Sequence, residues 1–430
     1  MSQELSRRTL LRLGAVAGAG VLVGGCDIGG GAKSGEQGSG EGKVTALFMQ
    51  QAGYSEADIR AMTADFVAAH PKVQVEPTFV AYEALHDKIV AAAPAGTYDV
   101  VLIDVIWPAE FGSKKIVTDV TGQFPAAWKT DMLGGALATA EYQSKFYGVP
   151  WILDTKYFFY NTEMLGKAGV DAASLSTWDG VLAAAKTLRD KKVIDHPLLW
   201  SWKQAEALIC DYTQLLGAYG GKFLSDDGKS VAFDTGGGLQ ALEVMKRTLD
   251  EGLSNPNSME SLEDDVRKVF SEGGAAMALN WTFMFAAAND PAQSKVAGKV
   301  AAQQTPAGPS GAPGCNGSMA LSVTSGSKNQ KAAWEYITYL TSAPVQNKYA
   351  KSSLPCWAAS YSDSQVIATS PQMVAVAKKG LASLIARPQV PRYNEISQIL
   401  QVEVQKALLG SKTPKQALAD AANQARSLLS

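Results

Sequence analysis

A chain of 430 residues with 46% apolar content is larger than one core usually supports, so two domains are the default expectation. Its formal net charge is −2 and no run of lysine or arginine stands out, so the electrostatic footprint of a nucleic-acid binder is missing. His70, His86 and His196 are scattered rather than clustered as metal ligands, and neither a nucleophile elbow nor a phosphate loop is present, so no metal or cofactor is expected.

The first thirty residues read as an address. Ser6-Arg7-Arg8-Thr9-Leu10-Leu11-Arg12 is a paired-arginine segment, and the apolar stretch from Leu13 to Gly25 is too short to span a bilayer. The pair resembles a twin-arginine export motif, with Leu10 where phenylalanine is most common. Val23-Gly24-Gly25-Cys26 resembles a bacterial lipobox, in which Cys26 becomes the lipid-modified N-terminus. Residues 27–43 are rich in glycine, serine and charge, which predicts a flexible tether, with the folded body starting near Val44.

From there strands and helices alternate. Val44 to Met49 is β-rich, Ser55-Glu56-Ala57-Asp58 is a capping box, and Ile59, Met62 and Phe66 share one helical face. Val73 and Val75 lie in a second strand, Tyr82 to Ala93 is a helix, and Tyr98 to Asp104 is a fully apolar third strand. This β-α-β-α-β order implies a parallel sheet whose ligands sit beyond the carboxyl ends of its strands. The loops there carry Gln50, Gln51 and Tyr54, then Asp104 and Trp107. Amides, carboxylates and aromatic rings together suit a solute with hydroxyls on its edges and C–H groups on its faces, a sugar. The glutamines also fit an ordinary surface, and Trp107 also fits a core.

Tyr147 to Gly169 reads as a strand broken by Asp154, the aromatic run Lys156 to Tyr160, and a helix start at Thr162. Such a segment would carry polar and aromatic side chains into a cleft between lobes. A helix opens at Ser176-Thr177-Trp178-Asp179. Leu198 to Gln204 then brings Trp200 and Trp202 to a strand-to-helix junction, where they serve a site or a core equally well. A strand of small residues ends in Asn280-Trp281, a glycine-proline loop spans Gly308 to Gly317, and Ser318 to Val323 is a strand. The rest is mostly helical apart from the segment Arg387 to Tyr393.

The segments YDVVLIDVIWPAEF at Tyr98, YGVPWILDTKYFFYN at Tyr147, FSEGGAAMALNW at Phe270, SVTSGSKNQKAAWEYITYLTS at Ser322, and ARPQVPRYNEI and TPKQAL near the end carry a resemblance. In this order they resemble the extracellular solute-binding proteins of bacterial ABC importers, in the sugar-binding branch that includes maltose-binding protein. The resemblance covers roughly Val44 to Leu429. It implies an α/β, two-lobed periplasmic-binding-protein-like fold with three interlobe crossings, near Leu153, Val300 and Ser342, and a ligand cleft between the lobes. Lobe one would be 44–153 plus 300–342, and lobe two 154–299 plus 343–430. The family's site positions fall on Asp104, Trp107, Asp154, Asn280, Trp281, the Cys315-Asn316-Gly317 loop and the Pro355 to Trp357 turn. Relatives often have two glycines and an aromatic residue where this chain reads Asn316-Gly317-Ser318, which loosens the inference about which sugar fits.

The function implied is a lipid-anchored monomer on the outer face of the cell membrane, capturing a carbohydrate and delivering it to membrane permease subunits. Similar proteins carry polyols, glycerophosphodiesters or sugar acids, for which Lys156, Lys203 and Arg387 could supply positive charge; their alternative is solvated surface. A secreted glycosidase would need two carboxylates at a fixed separation, for which Asp104 and Asp154 are the candidates. With Cys26 lipidated, Cys210, Cys315 and Cys356 remain, an odd number. Cys210 fits a buried helical position, and the resemblance places Cys315 and Cys356 near one cleft and hinge, where a disulfide between them is conceivable.

Overall fold

The computed structural model describes residues 41–50 and 53–429. The export segment, Cys26, most of the tether and Gln51 lie outside the described residues.

Two sheets organise the chain. In the first the strand order is Val73–Val80, Gly42–Met49, Val100–Asp104, Met319–Val323, Val149–Ile152. The first three run parallel, as the β-α-β-α-β pattern requires, and Met319–Val323 runs antiparallel to both its neighbours. Val100–Asp104 is buried along its whole length, the condition of a central strand covered on both faces. Helix Glu56–Ala69 opens with the expected box, Ser55 capping the Asp58 amide and Asp58 returning to the Ser55 amide. It buries Ile59, Met62 and Phe66, and helix Gln330–Leu340 packs near it with Tyr336, Ile337 and Leu340 inward.

The second sheet has the order Val300–Gln303, Tyr157–Asn161, Met277–Asn280, Leu198–Leu199. Helix Trp178–Asp190, capped by Thr177, buries Trp178, Leu182, Ala185 and Leu188 at helical spacing. Helix Tyr393–Leu408 packs on Glu206–Ala218, Gly237–Asp250 and Pro414–Arg426. The last of these is capped by Thr413 with proline in its first turn.

The strand expected to begin the return to the first lobe does not do so. Val300–Gln303 pairs antiparallel with Tyr157–Asn161 and so belongs to the second sheet; the chain returns later, beside Asp154. There Thr155 bridges Asn316, the Gly317 amide donates to the Asp154 carbonyl at 3.1 Å, and the Asp154 amide donates to the Ser318 hydroxyl at 3.2 Å. Two crossing segments thus lie side by side. Among the described residues no helix is long and apolar enough to cross a membrane.

Candidate solute-binding site

A cavity of about 710 Å³ opens between the two sheets, within the range of small-molecule sites. Its wall includes Asp104 and Trp107 at the end of the third parallel strand, Asp154 and Gly317 on the crossings, Trp281 after strand Met277–Asn280, and Arg387. These six expected positions are therefore brought together. Trp107 borders the cavity and also packs in the core, stacked on Tyr82 at 5.9 Å and tilted against Phe111.

Each remaining candidate lies elsewhere, for a visible reason. Gln50 is exposed and donates to Glu56 at 3.3 Å. Tyr54 is buried against Trp151, with ring centroids 4.8 Å apart. Trp202 lies flat on Trp200, 4.9 Å away with an 8° interplanar angle, so the core reading holds. Trp357 donates its indole N–H to the Thr341 carbonyl and meets Trp128 edge-on. Asn280 and Asn316 are buried and internally satisfied. Asn280 donates to the Glu263 carbonyl at 2.8 Å and accepts from the Trp281 amide at 2.8 Å, whereas Asn316 donates to the Gly135 carbonyl and accepts from the Ser318 amide.

Lys156 is the sharpest correction. It is wholly buried behind the cavity wall, its Nζ donating to Asp211 at 2.6 Å and Ser201 at 2.8 Å, with Glu263 3.6 Å away. Burial works against its charge, but Asp211 and Glu263 outweigh that and raise its pKa. Its ammonium stands 5.2 Å from the Trp281 ring centroid, while the Trp281 indole N–H donates to Glu263 Oε1 at 3.1 Å. Gly317 completes the seat: a Cβ there would meet the ring at 2.3 and 2.4 Å.

Arg387 is also buried, and paired. Its Nη2 donates to Asp104 at 2.9 Å and its Nη1 to Glu206 at 2.8 Å. Asp104 further accepts from the Tyr82 hydroxyl at 2.8 Å, and Glu206 from the hydroxyls of Tyr393 and Ser397. Asp104 comes from the first sheet and Glu206 from a helix of the second lobe, so this guanidinium ties the two together. A carboxylate so held cannot act as a general acid, and Asp104 with Asp154 makes no glycosidase pair. Asp154 differs: its Oδ1 accepts from the Thr155 amide and from the Thr282 amide and hydroxyl. Burial, only partly offset by these bonds, pushes its pKa up to about 7.

Sequence reasoning missed Tyr82, Glu206 and Glu263. Tyr82 follows the second parallel strand, so the rule applied to the first and third strands would have found it. Glu206 and Glu263 open helices, where an acidic residue reads as a favourable partner of the helix dipole. The conceivable Cys315–Cys356 bridge does not form. All three described cysteines are free and buried, and Cys315 packs with Cys210 and Trp281 rather than with Cys356.

A two-lobed α/β body with a cavity between its sheets is the architecture of a binding protein that closes on a solute. The chain belongs to the bacterial extracellular solute-binding protein family, whose model matches residues 52–347. It is 28% identical over 344 residues to a probable ABC transporter-binding protein of Deinococcus radiodurans, covering 76% of this chain and 79% of that one. Maltose-bound MalE3 of T. maritima superposes with a TM-score of 0.83 at 27% identity, over 90% of this chain and 99% of that chain. A solute-binding protein of Thermotoga lettingae bound with α-D-tagatose superposes with a TM-score of 0.82 at 27% identity, over 90% and 100%. The chain is the solute-binding component of an ABC transporter and not an enzyme.

Proposed function

We propose that this protein captures a carbohydrate in the cavity between its lobes and delivers it to its permease as a monomer held to the outer face of the cell membrane by a lipid on Cys26. The observation that carries the ligand class is the seat of Trp281. An aromatic ring fixed by Glu263, Lys156 and Gly317 borders a cavity whose lining also includes several carboxylates, which pairs an apolar surface with hydroxyl acceptors. The maltose and tagatose bound by the two structural relatives support the same class. We place the first lobe at about 44–153 plus 318–342 and the second at about 154–316 plus 349–429, because strand Val300–Gln303 pairs in the second sheet.

Native mass spectrometry of protein purified without refolding identifies the carried solute by mass, and calorimetry with that solute, maltose and tagatose measures affinity. Trp281→Ala lowers affinity by about thirty- to a hundredfold, roughly 2–3 kcal/mol, while the fold stays intact. Unchanged affinity with a large fall in melting temperature would make Trp281 a core residue instead. Ligand favours the closed form, so the radius of gyration by small-angle scattering falls on saturation. For the anchor, Cys26→Ala releases the protein from the membrane fraction; retention there would refute lipidation.

A further inference from the structure

Three buried charge groups wall the cavity, and each holds one carboxylate more than it has cations. Asp104 and Glu206 share Arg387, and Asp211 and Glu263 share Lys156. Asp154 has no cation at all among the described residues. Its three donors all fall on Oδ1. Oδ2 has no hydrogen-bond partner among the described residues, although the side chain is only 5% exposed and borders the cavity. The Oε2 of Glu263, on the same wall, is likewise without one. Of the three cations that the sequence offered to an anionic solute, Lys156 and Arg387 are thus consumed by the protein's own carboxylates, and Lys203 is exposed outside the cavity wall. The lining also includes Lys114 and His86, but carboxylates outnumber cations there, and a low-dielectric wall with an excess of one sign concentrates the opposite charge and repels its own.

We propose that the solute of this cavity carries an ammonium group among its hydroxyls, a sugar amine whose nitrogen is received by Asp154 Oδ2 beside Trp281, and that sugar acids and phosphodiesters are turned away. Trp281 and Asp154 are neighbours in space: Asp154 accepts from the amide of Thr282, the residue after the tryptophan, and its carbonyl accepts from Gly317, which lies against the ring. A hydroxyl can donate one hydrogen bond to Oδ2, whereas an ammonium donates one and also brings a positive charge that offsets the excess negative charge. The inference rests on the carbohydrate reading above and sharpens it.

The test is calorimetry at pH 7 and low salt, where the 2-amino groups still carry a substantial positive charge, with three β-1,4-linked series of one to four units: glucosamine, glucose and glucuronate. Maltose and tagatose serve as additional neutral probes. The expected order is amine over neutral by about tenfold or more, with the glucuronate series weaker still. Salt at about 0.5 M should narrow the first gap, since screening weakens charge pairs and leaves neutral contacts. Asp154→Asn and Glu263→Gln should each bring the amine-to-neutral affinity ratio toward one, whatever the absolute affinity, and either variant suffices if the other fails to fold. A neutral probe binding as tightly as its amine counterpart, or any glucuronate binding within tenfold of the neutral sugar, overturns the inference and leaves the carbohydrate reading standing. Binding by none of the probes overturns that reading and the inference with it.

Discussion

Asp154→Asn, made in the ligand-free protein, separates the cost of a site from its use. The wild-type carboxyl holds its proton to about pH 7 when folded, against an ordinary value of 3.8, because burial outweighs the bonds from Thr282 and Thr155. Between those two values the folded state binds more protons than the unfolded one, so stability falls as pH rises through the window. A shift of about 3 pH units at roughly 1.4 kcal/mol each makes the ionised group cost about 4 kcal/mol at pH 8, and about 1 kcal/mol at pH 4.5. Asparagine keeps the Oδ1 acceptor, turns its amide toward the cavity where Oδ2 has no partner, and carries no charge to desolvate. For a chain of this size the variant should therefore melt about 5 °C above wild type at pH 8 and only about 1 °C above it at pH 4.5. Differential scanning calorimetry across this range reads the gap directly. A gap that stays constant or narrows with rising pH would show that Asp154 ionises as freely folded as unfolded, and the argument from its burial would fail.

The neighbouring wall gives further expectations. Gly317→Ala drives a methyl into the Trp281 ring, which Glu263 and Lys156 hold in place, so it should cost about 1–3 kcal/mol of stability. It should also weaken solute binding by about tenfold; unaltered affinity by calorimetry would remove Trp281 from the site. Lys156→Met strands Asp211 in the interior and should cost about 3–5 kcal/mol in urea unfolding, most of it recovered in Lys156→Met/Asp211→Leu. If the single variant unfolds at the wild-type midpoint, the buried pair is not as described. Alkylation followed by peptide mapping should label none of Cys210, Cys315 and Cys356 in the native protein and all three after unfolding without reductant. A single labelled thiol would reinstate a bridge.

Periodicity made the fold legible where local and tertiary signals agree. The parallel strands, the Ser55 and Thr413 caps and the buried stripe of the helix at Trp178 follow from apolar spacing and capping chemistry alone. The late crossing did not, because Val300–Gln303 and Met319–Val323 are both short apolar runs and only hydrogen-bonded pairing assigns them to different sheets. Asp104, Asp154 and Trp281, at strand ends, were placed at the cavity because topology aims them there. Lys156 and Arg387 read from sequence as cations available to a ligand. Which way they face depends on Asp211, Glu263, Asp104 and Glu206, all distant in sequence, and no local pattern announces such a partner. Trp202 and Trp357 show the same ambiguity for aromatic side chains, since a ring flanked by polar residues looks alike whether it borders a cavity or stacks on another tryptophan.

The placement of strand Met319–Val323 governs how this chain can fold. It lies between Val100–Asp104 and Val149–Ile152, and pairs with both. Those two strands have no hydrogen bonds to each other, so the first sheet stays split until a segment more than 160 residues further along arrives to join its halves. Everything that builds the second sheet is synthesised in that interval. Closing so long a loop is entropically costly and makes assembly slow, and in the meantime the open edge of Val100–Asp104, apolar up to Asp104, is a surface on which a second chain could pair. A fragment ending before Met319 should therefore aggregate rather than yield an independent first lobe, and the last strand to enter the sheet is the one that leads directly out of the Gly317 wall.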